Sequence, residues 1–376
     1  MSADLLTRRA ALIGAAALLA PLTPDILVAA PNTSRGKTNL IRLDGNENPY
    51  GPSPAARRAI LASVSEAPRY AETTIETLTN QLAAHEGVAP SQIVIGAGSG
   101  ELLKMAGLLA VGTSGAEVVA SRPTYEELPV FAQTLGLKVH WVAPDADHRH
   151  DLSAMRGAIT ELTRLVYVCN PNNPTGTAVT RNALEAFIRS VPASCTVIVD
   201  EAYMDLVDQP GVATVAALVK DVPNVVVLRT FSKLHGLAGL RIGYAIAPAE
   251  LAQRLAALSL TWPNTTGLSA AIASFNDHAF LKTTRAALTG DRAKVHATLD
   301  RLGLHRADAQ GNFVFFDTGG PLKQFQDRML AEGIKVGRHF DGYDTWARVT
   351  IGVHREVDRF LQALPRALSP PALSPP

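Results

Sequence analysis

The feature that most constrains this chain is a rhythm between residues 93 and 248. Short apolar runs alternate with helical patterns there: IVIG (93–96), EVVAS (117–121), KVHWVA (138–143), RLVYVC (164–169), TVIVD (196–200), NVVVL (224–228) and LRIGYAIAP (240–248). Runs this short and this uniformly apolar suit strands buried on both faces rather than half-exposed ones. Strands alternating with helices predict an α/β fold with a mainly parallel, seven-stranded sheet. In such sheets ligands bind at the carboxyl ends of the strands. Ser99, Tyr125, Asn173, Asp200, Tyr203 and Lys233 all fall at or just beyond those ends.

The stretch VLRTFSKLHGLAGLRIGY (227–244) sharpens the reading. It places Lys233 among small residues just past a buried strand. Burial lowers a lysine pKa and frees the amine as a nucleophile, which can form a Schiff base with an aldehyde. The hydroxyls of Thr230 and Ser232 and the guanidinium of Arg241 suit a phosphate. The Gly-rich turn at 96–101 places backbone N–H groups at a helix start, a second anion-binding device. An amine for an aldehyde beside a phosphate site points to pyridoxal phosphate (PLP).

With 376 residues the chain can hold one large and one smaller domain. Lys plus Arg number 35 against 34 for Asp plus Glu, which gives no argument for nucleic acid or an anionic membrane surface. Ten histidines show no metal-ligand spacing, and no metal is expected. Cys169 and Cys195 lie in apolar runs and are expected as buried thiols, with one bond between them left open. Thr7, Arg8 and Arg9 precede an uncharged stretch from Ala10 to Leu22, too short for a membrane span. Residues 1–30 therefore read as a twin-arginine export signal, with a periplasmic or secreted mature chain. The expected division continues with 31–65 as an N-terminal segment joining the small domain and 66–265 as the large domain. A smaller α+β domain (266–368) and a disordered Pro-rich tail (369–376) complete it. A helix is expected from Pro54, and Thr73 or Thr74 is expected to cap a helix over 75–86.

Taken in order, NENPYGPSP, GAGSGELL, PTYEE, NPNNPTG, VDEAYMD, TFSKLHGLAGLRIGY and RVTIG resemble the fold-type I PLP-dependent aminotransferases, in particular the histidinol-phosphate aminotransferase branch. The resemblance covers residues 40 to 365. It implies that Lys233 bonds the cofactor aldehyde and later shuttles a proton, and that Asp200 pairs with the ring nitrogen. Tyr203 and Asn173 would bond the phenolic oxygen, and Tyr125 would stack on the ring. Ser99, Gly100, Ser232 and Arg241, with Thr230, would hold the phosphate. Arg348 would grip the substrate carboxylate, Asn48 and Tyr50 would fold over the substrate, and Arg338 matches another basic residue only loosely. Tyr70 would reach the phosphate of a partner subunit, implying a homodimer.

The sequence also departs from the branch. Gly100 stands where an acidic residue is common, RYAET replaces an Arg-Tyr-Pro opening, and His235 stands where an aromatic or small residue is commoner. His235 is expected at a helix start or the surface, with a substrate-facing position as the alternative. The implied reaction moves an amino group from an L-amino acid, or from an amine like histidinol phosphate, to a 2-oxo acid. A PLP-dependent decarboxylase, β-eliminating enzyme or oxidase shares the fold, and a non-catalytic PLP-binding module is the alternative of a different class.

Overall fold

The computed structural model describes residues 40–368; the expected export signal and Pro-rich tail lie outside the described residues. The strands are β1 (Ile41–Leu43), β2 (Ile93–Gly96), β3 (Glu117–Ser121), β4 (Lys138–Val142), β5 (Thr163–Cys169) and β6 (Thr196–Asp200). They continue with β7 (Val225–Thr230), β8 (Gly243–Ile246), β9 (Phe313–Asp317), β10 (Ile334–Val336) and β11 (Trp346–Thr350).

Seven of them form one sheet in the order β2-β8-β7-β6-β5-β3-β4. Strands β3 to β7 pair parallel, and β8 runs antiparallel to both β2 and β7. The sheet is thus mainly parallel, as the alternation of runs requires.

Period-two geometry sorts the strand residues between two cores. Val166, Val168, Val197, Val199, Val225 and Val227 face one side, where Leu78, Leu82, Leu184, Phe187 and Leu268 from three helices cover them. Leu165, Tyr167, Cys169, Ile198, Val226 and Leu228 face the other, under Leu102, Leu103, Leu128 and Leu255. Both faces are buried, so the runs could be apolar throughout. Each such side chain contributes about 1.5–3 kcal/mol on burial.

A separate core gathers around Phe313, Phe316, Phe325, Met329, Val349 and Phe360. Here β9 and β11 pair antiparallel, and β1 pairs parallel with β10. Residues near the N-terminus of the described chain thereby share a sheet with residues near its C-terminus. The last helix, His354–Leu368, buries Val357, Phe360, Ala363 and Leu364 along one stripe against this core.

One local expectation is corrected. The helix expected over 75–86 spans Glu72–Glu86 with Ala71 at its N-cap, so Thr73 and Thr74 lie inside it and cap nothing. Residues 249–301 hold three helices, Ala249–Ala256, Thr265–Phe275 and His278–Arg301. The last two begin at Asn264 and Asp277, whose side chains accept backbone N–H groups.

Candidate active site

A cavity of about 290 Å³ opens at the carboxyl ends of β5, β6 and β7. Asp200, Tyr203, Thr230, Ser232 and Lys233 line it from the large sheet's side, and Arg348 of β11 from the other core.

Asp200 ends β6 and is 1% exposed. One carboxylate oxygen, Oδ1, accepts the N–H of Ala202 at 3.1 Å, and Oδ2 accepts the Tyr167 hydroxyl at 3.2 Å. Burial raises its pKa to about 6 against the pull of those two donors and of Lys233. Lys233 donates from Nζ to the Asn46 carbonyl at 3.2 Å and lies 5.3 Å from the Tyr203 ring centroid. Burial, then the nearby Arg348 charge, lowers its pKa to about 8. An amine so placed is neutral far more often than a surface lysine, which is what a nucleophile needs.

Tyr203 is buried, and its hydroxyl accepts from Asn46 Nδ2 at 3.1 Å and from Asn173 Nδ2 at 3.4 Å. Burial pushes that hydroxyl's pKa up. Asn173 in turn accepts from Arg348 Nη1 at 2.7 Å through Oδ1, and Arg348 Nη2 donates to the Asp44 carbonyl at 2.8 Å. The guanidinium lies over Phe340 (5.2 Å) and Phe313 (5.8 Å). Its buried Nε has no hydrogen-bond partner. An orphaned donor on a buried guanidinium is costly unless a ligand completes it.

The other end of the cavity is built for an anion. The helix Ser99–Leu108 starts there, and Ser99, Gly100 and Arg241 line the wall. Gly98, at φ +82°, precedes the helix; a Cβ on it would lie 2.5 Å from Arg241 Nη2. Its missing side chain lets the guanidinium cross the helix start, where free N–H groups and the helix dipole favour negative charge. Arg241 itself has φ +55° and donates from Nη1 to the Ala238 carbonyl at 3.0 Å. Thr230 Oγ1 accepts from the Ser232 N–H at 3.1 Å and donates to Ser232 Oγ at 2.9 Å. A reactive amine, a buried carboxylate and a cradle of N–H, hydroxyl and guanidinium groups fit pyridoxal phosphate: aldehyde, ring nitrogen and phosphate each find a partner of the right chemistry.

Tyr125 and Arg338 also line the cavity, nearer solvent. Tyr125 is 38% exposed, and burial of the rest pushes its hydroxyl pKa to about 12. Arg338 lies over Phe340 at 4.3 Å and 3.7 Å from Glu126, and stays largely exposed.

Other sequence expectations fall elsewhere. Asn48 and Tyr50 do not line the cavity: Asn48 donates to the Leu234 carbonyl at 2.7 Å, and its Oδ1 accepts the Tyr50 N–H at 3.0 Å. They fasten the N-terminal segment to the loop bearing Lys233, while Gly45 and Asn46 face inward. Asn46, at φ +52°, exchanges hydrogen bonds with Thr350 and is the residue that sequence reasoning overlooked there. Tyr167 was overlooked too. His235 is neither at the surface nor toward the cavity. It is 8% exposed, pairs through Nδ1 with Ser274 Oγ at 2.9 Å and packs on Phe231 at 4.6 Å. Burial lowers its pKa to about 4. Tyr70 is 84% exposed, outside this cavity, and stacks on Trp262 at 5.7 Å. Cys169 and Cys195 are buried free thiols.

Comparison with known proteins agrees with this geometry. Residues 38–364 match the family Aminotransferase class I and II. A histidinol-phosphate aminotransferase of Moorella thermoacetica is 37% identical over 353 residues, 93% of this chain and 91% of that protein. An aromatic amino acid aminotransferase of Cutibacterium acnes is 33% identical over 348 residues, 92% of this chain and 98% of that protein. The crystal structure of histidinol-phosphate aminotransferase from Sinorhizobium meliloti, in complex with pyridoxal-5'-phosphate, superposes with a TM-score of 0.82. Its identity is 28%, covering 93% of this chain and 98% of that one. By sequence and by site, this chain belongs to the class I and II aminotransferases.

Proposed function

We propose that Lys233, Asp200 and Arg348 carry the chemistry of an aminotransferase that moves an amino group from an L-amino acid to a 2-oxo acid. The chain is a PLP-dependent aminotransferase. The observation that carries the residue assignment is that all three side chains line one cavity although they come from distant parts of the sequence. Bound PLP supplies an electron sink that acidifies the substrate α C–H bond.

The residues divide the remaining work. Lys233 would hold the cofactor aldehyde and, once released, would carry the proton between the substrate α-carbon and the cofactor. A pKa near 8 suits both tasks near neutral pH. Asp200 faces the ring nitrogen and keeps it protonated. Tyr203 and Asn173 orient the phenolic oxygen, and Tyr125 stacks on the ring. Ser99, Gly100, Thr230, Ser232 and Arg241 hold the phosphate. Arg348 offers its unpartnered Nε to the substrate carboxylate. A clamped carboxylate is harder to lose, which favours transamination over decarboxylation.

The donor is an aromatic or other neutral amino acid, or an amine like histidinol phosphate, as the names of the relatives support. Arg338 separates these choices: a phosphorylated amine needs a cation near the mouth, and an aromatic amino acid does not. The active assembly is a homodimer in which Tyr70 reaches the neighbour's cofactor phosphate. Exposed Leu61, Val64, Leu260 and Trp262 support a buried contact there. The mature chain is exported by the twin-arginine route, which the sequence TRR before an uncharged stretch supports.

The test is a visible spectrum of the purified holoenzyme as amino acids are titrated in. Loss of the cofactor band with one donor, and its return with a 2-oxo acid, is the expected result. A band that no 2-oxo acid restores would favour the decarboxylase or oxidase reading. A chain that takes up no PLP would sink both.

A further inference from the structure

We propose that Tyr167 is a positioning residue for Asp200: its buried hydroxyl holds the carboxylate in the orientation that presents it to the cofactor ring. The assignment rests on the reading that Asp200 meets the ring nitrogen.

Tyr167 lies in β5, which pairs with β3 on one side and on the other with β6, the strand that ends in Asp200. The register sets Cys169 beside Asp200, so Tyr167, two residues earlier, points to the same sheet face. Its surroundings on that face are Leu102, Leu103, Ile198 and Leu228, and it is 0% exposed. Phenylalanine would suit such a core. A phenol placed there must find a partner or lose the hydration of its hydroxyl. It finds Asp200 Oδ2 at 3.2 Å, with the Cys169 thiol also against it.

Asp200 gains a fixed pose from this contact. Ala202 N–H, in its own chain's turn, holds Oδ1, and Tyr167, from the neighbouring strand, holds Oδ2. Two donors from two directions stop the carboxylate from rotating, and lone pairs remain for a ring N–H. Donation to the ionised form also opposes the burial that works to neutralise it. Substituting Phe removes only the hydroxyl and keeps the core volume.

The experiment compares dissociation constants for two ligands by fluorescence quenching: PLP, and its analogue with the ring nitrogen replaced by C–H. Wild type, Tyr167→Phe and Asp200→Asn are measured alike. Wild type is expected to prefer PLP. Tyr167→Phe is expected to lose about tenfold in PLP affinity, the scale of a hydrogen bond to a charged group, with analogue affinity unchanged. A Tyr167→Phe chain that keeps the wild-type preference, or that loses both ligands equally, overturns the proposal and leaves the tyrosine a packing residue. Asp200→Asn is expected to lose the preference for PLP; a wild type that shows no such preference, or an Asp200→Asn chain that keeps it, overturns the Asp200 reading instead.

Discussion

The floor of the cavity and its rim are made differently. On the floor, Asp200 and Tyr203 are at most 4% exposed; Tyr203 is held by two donors from elsewhere in the fold, and Asp200 by one from its own turn and one from the neighbouring strand. At the rim, Tyr125 is 38% exposed, and Arg338 keeps a loose approach to Glu126, a carbonyl contact and the face of Phe340. Desolvation drives the floor: it raises Asp200 to about 6 and lowers Lys233 to about 8, bringing acid and base toward each other across neutrality. At the rim, burial still pushes the Tyr125 hydroxyl to about 12, but Arg338 stays exposed and its charge is screened. The floor is therefore where bonds change, and the rim is where substrates are sorted, at smaller energies. Arg348 stands between the two, buried like the floor but donated by the second core, and so couples substrate binding to the seat of β11.

Substitutions should follow that gradient. Replacing Lys233 with Ala removes both the bond to the cofactor and the proton carrier, and transamination should fall at least about 10³-fold. Single-turnover spectra would measure it; a fall of tenfold or less would show that another group does the work. Arg348→Lys should raise KM for the amino donor by about 10–100-fold while the cofactor band stays, since one ammonium cannot replace a fork of donors. Gly98→Ala should weaken PLP binding by about tenfold, because the new Cβ enters the space of Arg241 at a φ of +82°. Arg338→Gln should change KM for a neutral aromatic donor less than about fivefold. A much larger effect confined to a phosphorylated amine would identify the donor class.

pH offers another handle on the floor. The protonated amine has no lone pair, so capture of PLP by the cofactor-free chain should quicken about tenfold per pH unit and level off above about 8. Stopped-flow absorbance would follow it. A rate still climbing past pH 10 would mean that burial does not lower the Lys233 pKa.

Much of the floor was legible in the sequence because its residues sit just past strand ends, where a linear motif maps directly onto one place in space. Lys233, Asp200, Tyr203 and Asn173 all follow an apolar run by a few residues, and all line the cavity. Tyr167 was not legible, since inside an apolar run a tyrosine reads as core, and its partner becomes apparent only from the register of β5 with β6. Asn46 and Asn48 share one loop, and their partners, Thr350 and Tyr203 for the first and the Leu234 carbonyl for the second, are remote in sequence. His235 looked like a helix-start or surface residue because its partner Ser274 is remote in sequence. Thr73 and Thr74 looked like caps because cap chemistry is strong locally; the helix instead gains another turn beginning at Glu72.

The central claim is that the half-buried Lys233 amine is the group that holds the cofactor. Reduction of the PLP-loaded enzyme with borohydride, followed by mass mapping of its peptides, tests it directly. The account predicts one pyridoxyl-modified residue, Lys233, and none when reduction is done on the Lys233→Ala chain. A label on an exposed lysine such as Lys323, with Lys233 unmodified, would contradict it.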